Sequence, residues 1–578
     1  MQSETKNCQN CKKDFIIDPE DFKFYEKIKV PPPTFCPECR LVRRLAWRNE
    51  RSLFYAECDF CKKKIFSAYP AERSFPVFCH DCWFSDVWDP LSYGKNYNFS
   101  KPFFVQYKEL FDTVPRLNLF QINSKNSQYA NIIRDCKNVY LSYSVVDSEE
   151  VYFSKNIDRS RQIYDSLAIN DCEKCAYLVY GANDYNVIYS VIVRDCFDSM
   201  FLYDCRNCSN CFMSANLRNQ RYVFRGKKYT KEEYQTLIKE VKTGSYKEFK
   251  KIVEEFERMK QDAVHRFADI GKSVNSIGDA LEDVKNVKES FEAYNMEDTK
   301  WTSRCFDLKD SYDGNYTGLK SELVYECISG GKNSKSIAFL VAPIDPMQDS
   351  YYSGWCAGSN LFGCFGVRSK SYCILNKQYT KEEYQEIIPK IIKHMSSMPY
   401  KGKNGRIYKY GEFFPVELSP FAYNESLVSE HFPLSREEIE TKGYKYREND
   451  KKIHKVTILP DNLPDEIENT NEDILKEIIG CVHAEKCLHQ CTTAFRLNPE
   501  ELSFYRNFKL PIPRLCPNCR HYKRLEYRKP WKLWHRFCMC DKNNHNHAGK
   551  CLNEFETSYA PDRPEIVYCE RCYQAEVY

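Results

Sequence analysis

The residues best placed to do chemistry in this chain are four groups of cysteines. Near the start stand Cys8, Cys11, Cys36 and Cys39, followed by Cys58, Cys61, Cys79 and Cys82. Near the end stand Cys487, Cys491, Cys516 and Cys519, followed by Cys551, Cys569 and Cys572. The fourth ligand of that last group is Cys538 or Cys540, with His545 or His547 as outside alternatives, and Cys481 is left spare. Two closely spaced thiolate pairs reach the corners of a tetrahedron, which suits zinc at about 2.3 Å and leaves no open coordination position. Such a site is structural, and its binding energy becomes folding energy because the unfolded chain holds no preformed site. The spacing implies about four zinc ions per chain. Iron suits a four-thiolate site as well.

The two ends are copies. Moving 480 residues along the chain carries Cys11, Cys36 and Cys39 onto Cys491, Cys516 and Cys519, and Phe24, Tyr25, Arg40, Arg44, Leu45 and Arg48 onto Phe504, Tyr505, Arg520, Arg524, Leu525 and Arg528. For the second group the shift is 490, matching Cys61, Tyr69, Cys79 and Cys82 to Cys551, Tyr559, Cys569 and Cys572. About ten residues, His545 and His547 among them, are therefore inserted ahead of Cys551.

The stretch CQNCKKDFIIDPEDFKFYEKIKVPPPTFCPECRLVRR resembles the probable zinc-ribbon family in its CxxC, its Phe-Tyr pair, its prolines and its closing CxxCR. The C-terminal copy departs from that pattern with CxxxC at Cys487 and Cys491. The whole chain, above all FETSYAPDRPEIVYCERCY, is similar to uncharacterised bacterial zinc-ribbon proteins. The resemblance implies zinc and a ribbon fold at both ends.

Composition bounds the rest. A chain of 578 residues exceeds one core, and about one domain per 150 residues suggests roughly four units. With 42% hydrophobic and 15% aromatic residues, most of it should fold. The opening MQSETKNC lacks the features of a secretory signal, and no apolar run approaches the roughly 20 residues that span a bilayer. A cytoplasmic location is expected, where thirty cysteines are better explained by metal than by disulfides. A net charge of +4 leaves any nucleic-acid affinity to local clusters.

Between the ends the chain repeats every twelve residues from about 124 to 224. One column reads Val139, Val151, Ile163, Cys175, Val187, Ser199, Cys211, and a polar one reads Asn138, Glu150, Gln162, Lys174, Asn186, Asp198, Asn210. Short strands at fixed spacing predict a β-solenoid, with two twelve-residue halves in each 24-residue coil. Cys136, Cys172, Cys196 and Cys208 share one column and are read as small buried side chains, with a further metal near Cys205, Cys208 and Cys211 as the alternative. Thr230 and Glu233 form a capping box opening a helix that runs to about Phe267. The phrase returns 150 residues later at Thr380 and Glu383, with Arg218 and Tyr222 matched by Arg368 and Tyr372. A weaker column, Val287, Thr299, Ser311 and Leu323, suggests that coils resume before the second helix, and a short helix is expected from Ser435 to Gly443.

The fold class predicted is therefore multidomain and mainly β: duplicated zinc ribbons flanking a β-solenoid that helices interrupt and cap. The expected divisions are ribbons at 1–90, solenoid at 91–228, a helical insertion at 229–270, solenoid at 271–378, a helical cap and mixed connector at 379–480, and ribbons at 481–578.

Two features could carry binding. Arg40, Arg43, Arg44 and Arg48 beside Trp47, and Arg520, Lys523, Arg524 and Arg528 among Tyr522, Tyr527 and Trp531, suit RNA or single-stranded DNA. Their plainer role is a solvated helix face. Asp147, Asp171 and Asp195, placed one expected coil apart, would form a carboxylate ladder wanting a cation, or serve as ordinary turn residues. Walker A, HExxH, GxSxG and dinucleotide-binding glycine patterns are missing from the sequence. The expected function is a zinc-binding, non-enzymatic scaffold for a protein or nucleic-acid partner. Nucleic-acid binding through the arginines is the first alternative, and an enzyme on the solenoid face the second.

Overall fold

The computed structural model describes residues 2–344, 346–448, 455–545 and 547–578. The chain is multidomain and built mostly of strands, with helices between them and cysteine clusters at both ends. No helix among the described residues is long and apolar enough to cross a membrane.

A 14-stranded sheet runs from Gln121 to Lys228 and an 8-stranded sheet from Ile270 to Gln378. Within the first sheet every parallel pairing joins a residue to the one twelve positions later. Asn131, Tyr143, Lys155, Leu167 and Val179 stand in one line, and Lys137, Glu149, Arg161, Glu173 and Tyr185 in another. The repeat is thus twelve residues, and the expected 24-residue coil is corrected. The reason lies in the backbone. Every third residue takes a left-handed conformation, so a short run turns sharply. Asn138, Glu150, Gln162, Lys174, Asn186, Asp198 and Asn210 all have φ between 47° and 58°. The polar column seen in the sequence is this left-handed column, which favours Asn and Asp.

The same period of three fills the core. Ile133, Cys136, Val139, Val145, Val151 and Ile157 belong to one buried cluster that continues to Val223. Serines take the remaining inward places. Ser160 donates to the Asp158 carbonyl at 2.8 Å and accepts the Cys172 amide at 3.1 Å, and Ser154 likewise accepts the Ser166 amide at 2.9 Å. Cys205, Cys208 and Cys211 sit in this interior too, each thiol donating to the carbonyl two residues back at 3.3–3.4 Å. They substitute for serine hydroxyls.

The second sheet keeps the register less strictly. Thr299 faces Ser311 twelve residues on, but Glu322 faces Lys335 after thirteen and Ile270 faces Leu281 after eleven. That slippage is why its column was faint in the sequence. The carboxylate ladder is also corrected. Asp147, Asp171 and Asp195 are two register steps apart, with Arg159 and Asn183 between them. Arg159 pairs with Asp171 at 2.7 Å, and Asn183 donates to Asp195 at 3.1 Å.

Each sheet ends under a helix. Thr230 and Glu233 cap Lys231–Lys239, and Thr380 and Glu383 cap Lys381–Ser397. Tyr234 meets Tyr222 at 5.9 Å between ring centroids, and Tyr384 meets Tyr372 at 5.7 Å. The first helical stretch is two helices where one was expected, because the first ends at Lys239 with Glu240 as its C-cap and the chain restarts at Tyr246–Asp262 under a Ser245 cap. A strand, Val264–Arg266, follows it. Ser435 caps Arg436–Thr441, and Gly443 closes that helix at φ 75°.

Candidate metal centres

Each terminal module places two ligands on a hairpin and two on a helix. Glu4–Asn7 pairs with Asp14–Ile17, and Phe54–Glu57 with Lys64–Ser67, leaving Cys8, Cys11, Cys58 and Cys61 at the turns. The third ligand, Cys36, Cys79, Cys516 or Cys569, stands just before a helix with φ near −65° and ψ near 160°. The fourth lies one turn inside.

Four quartets converge: Cys8, Cys11, Cys36 and Cys39; Cys58, Cys61, Cys79 and Cys82; Cys481, Cys491, Cys516 and Cys519; and Cys538, Cys551, Cys569 and Cys572. All thirty cysteines are free thiols. The sulfurs of the second and third ligands lie 3.7, 3.8, 4.0 and 4.0 Å apart in the four groups. Four sulfurs held tetrahedrally at about 2.3 Å from one ion would stand about 3.8 Å apart, so the donor sets fit a single metal ion each.

One contact fixes which cysteine is the first ligand. The amide of the third ligand donates to the first sulfur: Cys36 to Cys8 at 3.3 Å, Cys79 to Cys58 at 3.2 Å, Cys516 to Cys481 at 3.3 Å and Cys569 to Cys538 at 3.2 Å. The third quartet is therefore completed by Cys481, which the sequence left spare, and Cys487 is corrected out of it. Spacing misled because nine residues separate Cys481 from Cys491 where two separate Cys8 from Cys11. Cys538 completes the fourth quartet, and Cys540 stands outside it.

The arginine segments face inward. Arg40, Arg43, Arg44 and Arg48 are buried, and so are Arg520 and Arg524. Arg40 and Arg44 both pair with Asp313, at 2.9 and 3.0 Å, while Arg43 reaches Glu326 at 2.6 Å and Glu412 at 2.9 Å. Arg48 pairs with Glu50 at 2.6 Å. In the other copy Arg520 reaches Asp165 at 2.7 Å and Glu501 at 3.0 Å, and Arg524 reaches Asp165 at 2.5 Å. Arg528 is half-buried against His431 at 3.1 Å. Lys523 alone of the eight is exposed. Arg40, Arg43, Arg44, Arg520 and Arg524 thus tie the terminal modules to acids of the two sheets, while Lys523 faces solvent. Burial by itself disfavours the Arg43 cation, but Glu326 and Glu412 beside it push its pKa upward. Burial would likewise raise Glu50, yet Lys155 and Arg48 hold it down to about 2.

The aromatic contacts repeat as well. Phe24 stacks on Tyr312 at 4.0 Å, and Phe504 on Tyr164 at 3.8 Å. Each Tyr-Asp dipeptide of a sheet thus receives the Phe and the arginines of one ribbon. The docking is crossed, with the first N-terminal cysteine module on the second sheet and the matching C-terminal module on the first. The outer ribbons follow suit: Arg368 lies 4.9 Å over Trp83, and Arg218 lies 5.9 Å over Tyr573.

Between the sheets lies a cavity of about 500 Å³ lined by Asp269, Asp279, Glu282, Glu292, Arg194 and Lys529 among others. Its charges are mutually paired, as Arg194–Glu282 at 3.4 Å, Arg206–Asp269 at 3.1 Å, Arg304–Glu292 at 2.7 Å and Lys529–Asp279 at 3.1 Å. Comparison with protein-family models and with curated proteins finds no match to the chain.

Proposed function

We propose that the protein is a zinc-binding, non-enzymatic scaffold that holds a protein partner against the tips of its zinc ribbons. The metal is zinc, because closed sets of four thiolates at tetrahedral separations suit a d¹⁰ ion with no redox role. The platform is a pair of β-solenoids, with twelve-residue coils in the first and coils of eleven to thirteen residues in the second. The constant register of the first sheet, its left-handed residue every third position and its narrow interior of Val, Ile, Ser and Cys support that reading.

The observation that carries the binding role is where apolar surface is left uncovered. Leu488, beside Cys487, is 82% exposed and Leu552, beside the quartet ligand Cys551, is 86% exposed, while Tyr55 and Phe60 are exposed on the N-terminal hairpin that matches the one carrying Leu552. Large apolar side chains left exposed at the tips of several modules suit protein contacts better than phosphate contacts. Nucleic-acid binding through the arginine segments loses its support, since most of those cations already neutralise buried acids.

A tagged full-length chain, captured from nuclease-treated lysate and analysed by mass spectrometry, tests this. A protein partner should survive nuclease and moderate salt and be lost with Leu488→Glu or Leu552→Glu. Recovery of nucleic acid shed steeply by salt, or a partner indifferent to both substitutions, overturns it. Elemental analysis of the same material distinguishes zinc from iron.

A further inference from the structure

We infer that each C-terminal ribbon binds a second metal ion, bridged to its core ion by the last thiolate of the quartet. The C-terminal modules differ from their N-terminal copies in one respect. Between the first and second ligands Cys481 and Cys491 enclose nine residues where Cys8 and Cys11 enclose two, and Cys538 and Cys551 enclose twelve where Cys58 and Cys61 enclose two. Both insertions bring one cysteine and two histidines: Cys487 with His483 and His489, and Cys540 with His545 and His547. Two loops of unrelated length and sequence have acquired the same three donors.

The structure folds those donors back onto the core. His483, Cys487, His489 and Cys519 form a second group whose donor atoms all lie within 4.8 Å of one another, and Cys519 also belongs to the core quartet. Its sulfur is 3.8 Å from Cys487 and 3.8 Å from Cys481, so it stands between the two sets. The Nδ1 atoms of His483 and His489 are buried with no hydrogen-bond partner, although the two rings are only 5.3 Å apart. An imidazole nitrogen shut away from water without a partner is costly, and a metal ion relieves both at once.

The last ribbon brings the same donor types together in two contacts. His545 Nδ1 lies 3.1 Å from the Cys540 sulfur, and His547 Nε2 lies 3.4 Å from the sulfur of Cys572. Cys572 is the fourth core ligand there, as Cys519 is in the ribbon before it. Cys540 and His545 are buried at 0% and 1% exposure, which a spectator pair in a surface loop would not need. Two imidazoles, one terminal thiolate and one shared thiolate make a four-coordinate set suited to zinc. Adding the second ion with one more thiolate also reduces the net negative charge that four thiolates leave around a single divalent ion.

The proposal rests on the core quartets being loaded, and the test separates the two. The full-length chain, purified without added chelator, is assayed for metal per chain by elemental analysis and native mass spectrometry. Six ions are expected. Cys487→Ser should leave five, Cys540→Ser should leave five, and the double variant four. Cobalt substitution of the wild type should show thiolate-to-metal absorption that rises with the fifth and sixth equivalents and is missing from the double variant. Four ions in the wild type, or an unchanged count in the variants, overturns the second ions alone. A count near zero overturns the core sites as well.

Discussion

Arg40 of the first ribbon and Asp313 of the second sheet meet at 2.9 Å with both side chains fully buried, although 273 residues separate them. The contact has a twin in Arg520 and Asp165, where the C-terminal ribbon grips the first sheet. The terminal cysteine modules therefore serve as clasps, each end of the chain locking onto the sheet nearer the other end.

Removing one partner of such a pair leaves a buried, uncompensated charge. Arg40→Ala or Asp313→Ala should cost about 3–5 kcal/mol, and Arg520→Ala should cost a comparable amount. Lys523→Ala, on an exposed side chain, should fall within about 0.5 kcal/mol of wild type. Urea unfolding of the four variants checks the contrast.

The interior serines make a second prediction. Ser160→Ala strands the buried amide of Cys172 and should cost about 1–3 kcal/mol. Ser160→Cys should cost under about 1 kcal/mol, because Cys136 and Cys172 already occupy that column and a thiol donates in the same way. Thermal unfolding of both variants gives the comparison.

Asp184 stands in that column too, accepting the Cys196 amide at 2.9 Å, and burial raises its carboxyl to about 7. The unfolded chain ionises this group near 3.9, so the folded state holds the proton over the window from about 4 to 7. Its contribution is therefore present below that window and is lost as pH rises through it. Asp184→Ser, which restores the serine pattern, should stabilise the protein at pH 8 and change little at pH 4. Melting temperatures across that range test the sign.

The ligand assignment predicts an asymmetry between neighbours. Cys538→Ser removes a core ligand and should lower the melting temperature far more than Cys540→Ser, and Cys481→Ser far more than Cys487→Ser. Equal effects within either pair would contradict the assignment.

Much of this was legible in sequence. The N-terminal quartets, the 480-residue duplication, the twelve-residue register and both Thr-Glu capping boxes appear in the structure at the residues that carried them. What failed did so for physical reasons. Spacing alone chose Cys487 over Cys481, because an insertion between ligands is invisible until the amide of Cys516 is seen to point at the Cys481 sulfur. The twelve-residue coil was hidden because the left-handed positions that turn the chain are not all polar: Ile132, Leu141 and Phe153 adopt that conformation as well as Asp135 and Asn138. The arginines looked exposed because their partners lie far along the chain. A signal was present, since Tyr164-Asp165 and Tyr312-Asp313 repeat a dipeptide to match the repeated Phe-Tyr and Arg pairs, but only packing shows that the two repeats meet.

If metal in the terminal modules holds the sheets together, hydrogen exchange should change on metal removal. On stripping the full chain with a strong chelator, exchange should rise in Pro37–Leu45 and Pro517–Leu525 and also in the strands around Asp313 and Asp165 that they cover. A metal-free chain that keeps wild-type protection in those helices would contradict the account.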